Sequence, residues 1–121
     1  VERGGNYGWK IREAAHCYSP STGCQTSGLI DPITEYSHSL GLAVIGGFVY
    51  RGSEEPSIYG SYFFSDYATG RLWMLNESSR GGWLRTELLQ TGYLISSMGV
   101  GEDGSIYLVG ITGRIDKIVV N

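Results

Sequence analysis

The chain is poor in the residue types on which most reactive centres are built. It has two cysteines and two histidines in 121 residues. Cys17 and Cys24 bracket Tyr-Ser-Pro-Ser-Thr-Gly, a loop that folds back readily, so a local disulfide is the simplest reading and implies an oxidising compartment. Two cysteines without a matched histidine pair do not make a metal centre. His16 and His38 have no sequence neighbours that complete a dyad or a metal cluster. Each therefore reads as a hydrogen-bonded structural histidine, with His38 ranked ahead of His16. Basic clusters are also missing: the nine Lys and Arg residues are scattered and the net charge is -3, which gives no electrostatic reason to expect a nucleic-acid or anionic-membrane partner. No apolar run reaches bilayer length, and the longest, Leu40 to Val49, is broken by glycines. The chain starts at Val1 without a charged-then-apolar leader, and so reads as a processed product or a piece of a longer protein.

What the chain has in excess is glycine, 19 residues where a usual share is roughly 7%. That suits many tight turns and little helix. Between Gly46 and Leu75 the sequence predicts three strands, at Phe48–Tyr50, Ser61–Phe64 and Arg71–Leu75. They are rich in aromatic and branched residues and are separated by Gly52, Pro56, Gly60 and Gly70. A hairpin loop follows at Asn76–Gly82, which carries an Asn-x-Ser triplet. The next strand, Trp83–Leu89, alternates like an outer strand with one wet face, on which Arg85 and Glu87 read as solvated. Strands at Ile95–Val100, Ser105–Val109 and Gly113–Val120 repeat this plan, so the fold class is all-β, a single domain over 1–121 built of blade-like sheets.

Individual positions follow from turn and packing chemistry. Glu102-Asp103-Gly104 is a hairpin turn with Gly supplying positive φ; it lacks the spaced ligands of a calcium loop. Asp66 follows an apolar strand and precedes Tyr67-Ala68-Thr69-Gly70, so it is expected first to fix that turn through backbone N–H groups, with a place facing the top of the propeller as the alternative. Tyr50, Tyr62, Phe63, Phe64 and Trp73 are expected in sheet packing. Arg51 is expected to pair with Glu54 or Glu55. Tyr7 and Trp9, alternating with Gly8, suggest a strand end with both rings on one face. Gln25–Ser39 reads as a polar connection, either a functional loop or a rim segment.

The succession GGNYGW (4–9), YSH (36–38), GGFVYRG (46–52), P-x-x-x-G-x-Y-x-F-x-D-Y-x-x-G-R-L-W (56–73), ISS (95–97) and EDGSIYLV (102–109) resembles the C-terminal part of the quinoprotein glucose/sorbosone dehydrogenase family. It is also similar to the related propeller of hedgehog-interacting protein and its paralogues. The resemblance implies about two to three blades of a six-bladed β-propeller. In the enzyme members this fold binds pyrroloquinoline quinone (PQQ) and calcium and oxidises aldose sugars.

Carried over position by position, the resemblance makes Tyr18 and Tyr36 cofactor-binding candidates near the quinone, and Tyr7 a main-chain calcium ligand. The cationic positions that hold the tricarboxylate in the enzymes read Ala68, Leu94 and Ser96, and the family's catalytic histidine comes from earlier blades. No catalytic residue is therefore expected in this chain. Lys10 and the cysteine pair bring it closer to the hedgehog-interacting branch. Two readings result. One is the last third of a secreted or periplasmic sugar dehydrogenase, with PQQ and calcium in the intact parent. The other is a non-catalytic extracellular propeller that binds a protein or glycan. In both, the remaining blades or other chains are the expected partners, because open sheet edges are avoided.

Overall fold

The computed structural model describes residues 1–121. It contains nine strands and a single 3-10 turn at Pro56–Ile58, with no α-helix. The chain divides into two compact units, Val1–Glu35 and Tyr36–Asn121.

The first unit is mostly turns. Its only ladder is a small hairpin of β1 (Arg12–Glu13) and β2 (His16–Cys17). The strand end expected at Tyr7–Trp9 is not formed: Gly8 has φ +85°, a value that breaks the alternation of an extended chain. Trp9 stacks on Tyr18, with ring centroids 5.4 Å apart. Cys17 and Cys24 form the local disulfide.

The second unit is built of two antiparallel meanders. The first runs β3 (Val44–Val49), β4 (Tyr62–Asp66), β5 (Arg71–Glu77) and β6 (Trp83–Gln90), paired in that order. The second runs β7 (Ile95–Val100), β8 (Ile106–Gly110) and β9 (Ile115–Lys117). This is the all-β, propeller-blade architecture expected. β4, β5 and β8 form where branched and aromatic residues are concentrated, and the turns that link β4 to β5, β5 to β6 and β7 to β8 are built on glycine and polar residues.

The two-residue period of a strand explains the packing. Phe63 and Leu72 point to one face of the four-stranded sheet, where they join Tyr50 and Ile58 against Ile95, Ile106 and Leu108 of the three-stranded sheet. Phe64, Trp73 and Leu75 point to the opposite face and gather Tyr36 and Tyr62. Burial of each such side chain contributes about 1.5–3 kcal/mol, which makes this double-faced sheet the main source of stability. Tyr50, Phe63, Phe64 and Trp73 are all buried, as the sequence indicated, while Tyr62 is half-buried. β6 differs from its expectation. Both its faces are largely exposed, including Leu84, Leu88 and Leu89, and its extensive contacts are with its neighbour β5.

The two sheets are sequence repeats. Gly60-Ser61 leads into β4 and Gly104-Ser105 into β8, 44 residues later; Thr69-Gly70-Arg71-Leu72 opens β5 and Thr112-Gly113-Arg114-Ile115 opens β9, 43 residues later. Gly70 (φ +66°) and Gly113 (φ +92°) both adopt the left-handed conformation that turns the chain into the third strand. Thus β9 is the counterpart of β5.

Candidate functional site

In the second unit the best-defined polar constellation surrounds Asp66, at the end of β4. Its side chain has no exposed surface. Oδ1 accepts hydrogen bonds from Thr69 N and Thr69 Oγ1, both at 2.9 Å, and Oδ2 accepts from Ala43 N at 2.7 Å and from the Tyr36 hydroxyl at 2.9 Å. Burial alone would raise the carboxyl pKa, but these donors outweigh it and the value lies below the ordinary one. The two Thr69 bonds fix the turn, as the sequence predicted. The other two tie the Tyr36 and Ala43 segments to it.

Tyr36 stacks on Trp73 with centroids 4.7 Å apart, and Trp73 stacks on Phe64 at 5.3 Å. Burial, reinforced by the Asp66 carboxylate, raises the Tyr36 pKa well above its usual value. The phenol stays protonated and donating. Arg85 of β6 lies over both rings, 5.9 Å from the Tyr36 centroid and 5.8 Å from that of Trp73. Arg85 is therefore more than a solvated residue, and Glu87 likewise pairs with Arg71 at 2.7 Å. These partners were missed because they depend on a register shift between Leu72 and Trp73 that leaves no trace in the pattern.

The other positions implied by the resemblance lie in different surroundings. Ala68 is in the turn between β4 and β5, Leu94 just before β7, and Ser96 in β7, where its hydroxyl donates to Val109 O. In the first unit, Tyr18 is half exposed and packs on Trp9. The Tyr7 hydroxyl accepts from Glu2 N. His16 has an acidic partner after all, reversing its ranking against His38: its Nε2 lies 2.9 Å from Glu35 Oε1. Glu35 also accepts from Ala15 N, the main reason its pKa is lowered, with His16 adding to it. The His16 side chain is 77% exposed, so this pair is a surface contact rather than a catalytic dyad in a cleft.

The residues present do not fit a quinone tricarboxylate. Ala68, Leu94 and Ser96 offer no cation, and the Tyr36 hydroxyl is committed to a buried anion that would repel a second one. No three His, Cys, Asp or Glu side chains converge anywhere in the chain, so a calcium ion held through the Tyr7 main chain would need ligands from elsewhere.

Glycine-punctuated antiparallel meanders, one of them ending in a carboxylate-fixed turn, are all-β architecture consistent with blades of a β-propeller. A family profile described as Glucose / Sorbosone dehydrogenase matches residues 1–115, and the chain belongs to that family. Among curated proteins it is similar to the HIPL2 protein of Arabidopsis thaliana, 33% identical over 89 residues, covering 64% of this chain and 13% of the relative. It is also similar to the HIPL1 protein of the same plant, 28% identical over 85 residues, covering 60% of this chain and 12% of the relative. These belong to the hedgehog-interacting protein-like branch. The chain thus spans about an eighth of the length of these relatives. No solved structure matches it.

Proposed function

We propose that this chain forms part of an extracellular propeller whose task is binding a protein or glycan rather than oxidising a sugar. The observation that carries the reading is the Tyr36–Asp66 pair. The side chain that the family resemblance would place beside the quinone is held against a buried carboxylate, and the nearby turn has Ala68 where a cation would meet the cofactor. Similarity to the HIPL proteins supports it, and the Cys17–Cys24 disulfide supports an oxidising, extracellular setting. The match to the Glucose / Sorbosone dehydrogenase profile favours a second reading, PQQ- and calcium-dependent aldose oxidation by an intact parent that supplies the cations and catalytic histidine from other blades.

Titration of the full-length protein with PQQ and calcium, followed by a dye-linked aldose oxidation assay, separates the two. The binding reading expects no saturable quinone uptake and no turnover. Saturable uptake with sugar-dependent dye reduction would overturn it.

A further inference from the structure

The side-chain amides of this chain are Asn6, Gln25, Asn76, Gln90 and, as its last residue, Asn121. Of the internal ones, three are engaged in the fold. Asn6 Oδ1 accepts from Gly8 N at 3.0 Å, Gln25 Nε2 donates to Ser27 O at 3.1 Å, and Gln90 Nε2 donates to Thr69 O at 3.0 Å. Asn76 is the exception. Its side chain is half-buried, and its carboxamide nitrogen and oxygen have no hydrogen-bond partner in the protein and are left to water.

Asn76 also opens the triplet Asn76-Glu77-Ser78, at the end of β5 where its backbone pairs with Leu84 of β6. Ser78 begins the hairpin loop. Its N donates to Gly82 O, and its Oγ accepts from Arg80 N at 3.2 Å, which leaves the hydroxyl hydrogen free to donate. Ser79, Arg80, Gly81 and Gly82 are all exposed. β5 runs from the Asp66 turn towards this loop, so Asn76 lies roughly 17 Å along the strand from Arg71, at about 3.3 Å per residue. The loop is therefore at the opposite end of the sheet from the Asp66 constellation.

We infer that Asn76 carries an N-linked oligosaccharide, resting on the oxidising, extracellular setting that the Cys17–Cys24 disulfide supports and holding whether the propeller binds or oxidises. Asn-x-Ser with x other than proline is the acceptor form, and here x is Glu77. In the transfer, Asn76 Nδ2 attacks the anomeric carbon of a lipid-linked oligosaccharyl diphosphate. The nitrogen–carbon bond forms, the carbon–oxygen bond to phosphate breaks, the lipid diphosphate leaves with the bonding pair, and an amide proton passes to a base of the transferase. The product keeps one N–H and the carbonyl oxygen. Since the fold uses neither group of this amide, attachment removes no hydrogen bond from the sheet, whereas the amides of Asn6, Gln25 and Gln90 are committed. Because the Asn76 backbone is paired with Leu84, transfer precedes closure of the β5–β6 hairpin.

The test takes the full-length protein from its native cells and their medium. Trypsin cuts after Arg71 and Arg80, so Asn76 falls in the peptide Leu72–Arg80. Treatment with a peptide-N-glycosidase in water enriched in heavy oxygen should convert residue 76 of most copies of that peptide to a labelled aspartate. Ser78→Ala removes the hydroxyl of the acceptor triplet and should lose the label entirely, while Ser78→Thr restores a hydroxyl and should keep it. Mapping of Cys17 and Cys24 in the same digest reports the compartment. An unlabelled Asn76 with the disulfide formed would overturn the glycan and leave the extracellular setting standing. An unlabelled Asn76 with both cysteines as free thiols would overturn the two together. Label that survives Ser78→Ala would mark spontaneous deamidation, and would also overturn the modification.

Discussion

At Asp66 a carboxylate with no exposed surface accepts four hydrogen bonds, two from its own turn and two from the segment that leads into β3. Asp66→Ala removes the acceptor and orphans donors that are partly buried. A loss of about 2–4 kcal/mol is expected, read as a shift of the urea midpoint. Because its folded pKa is depressed, Asp66 contributes stability that is fully present above the unfolded carboxyl value, roughly 3.9. That contribution is lost as the pH falls through the folded value. The wild-type urea midpoint should therefore fall more steeply between neutral pH and strongly acidic pH than that of Asp66→Asn, which cannot titrate there. Parallel curves would remove Asp66 from this role. Its turn function was legible in the sequence because both partners in the turn are local, Asp66 and Thr69. The pairing of His16 with Glu35 was not, since the residues stand 19 apart and only the fold of the first unit brings them together. Arg51 was misread for a similar reason. It lies over Tyr59, 5.3 Å from the ring centroid, while Glu54 is taken by Lys117 from β9.

Among the elements, the β7–β8 turn shows why glycine is required at one position. Gly104 has φ +78°, and a Cβ there would come within 2.5 Å of Gly52 N and 2.7 Å of Arg51 C. The turn thus braces the stretch after β3 as well as reversing the chain. Gly104→Ala combines left-handed strain with a backbone clash, and a cost above about 1 kcal/mol is expected. That corresponds to a fall of roughly 4–8 °C in the melting temperature per kcal/mol for a domain of this size. An unchanged melting temperature would contradict the close approach. Asp103-Gly104 was readable as a turn, with Asp103 accepting from Ser105 N at 3.0 Å, but its contact with the other sheet was not. The strands themselves were legible within a few residues, because runs such as Tyr62–Phe64 and Arg71–Leu75 carry both propensity and alternation. β6 was legible as a strand but not as one exposed on both faces, since alternation predicts a buried face only when another layer covers it. In the first unit, the Cys17–Cys24 link closes a short loop whose chain-entropy stabilisation is about 2 kcal/mol. Reduction should open residues 17–24 to proteolysis while the exchange of Phe63, Leu72 and Ile106 amides stays slow. Loss of protection at those three core amides would show that the two units do not unfold separately.

For the molecule as a whole, the decisive feature is the placement of aliphatic side chains where no layer covers them. Leu84 on β6 is 60% exposed and Val44 on β3 is 63% exposed, although each sits on a strand whose neighbours build the core. Substitution of an exposed side chain normally changes stability by no more than about 0.5 kcal/mol, so in the isolated 121-residue chain Leu84→Lys and Val44→Lys should each leave the urea midpoint nearly unchanged. They should also reduce binding of an apolar fluorescent dye, because they interrupt an uncovered aliphatic surface. If neighbouring blades cover these faces in the full-length protein, the same substitutions meet an apolar contact. There a lysine must leave its charge in an apolar contact or displace the neighbour, and a loss of about 2 kcal/mol or more is expected. Comparing the two variants in the chain and in the full-length protein separates a sheet face that is simply tolerated in water from one that awaits a partner. If either substitution is as harmless in the full-length protein as in the isolated chain, that strand face stays open to solvent in the assembled molecule, and the propeller must continue through other surfaces.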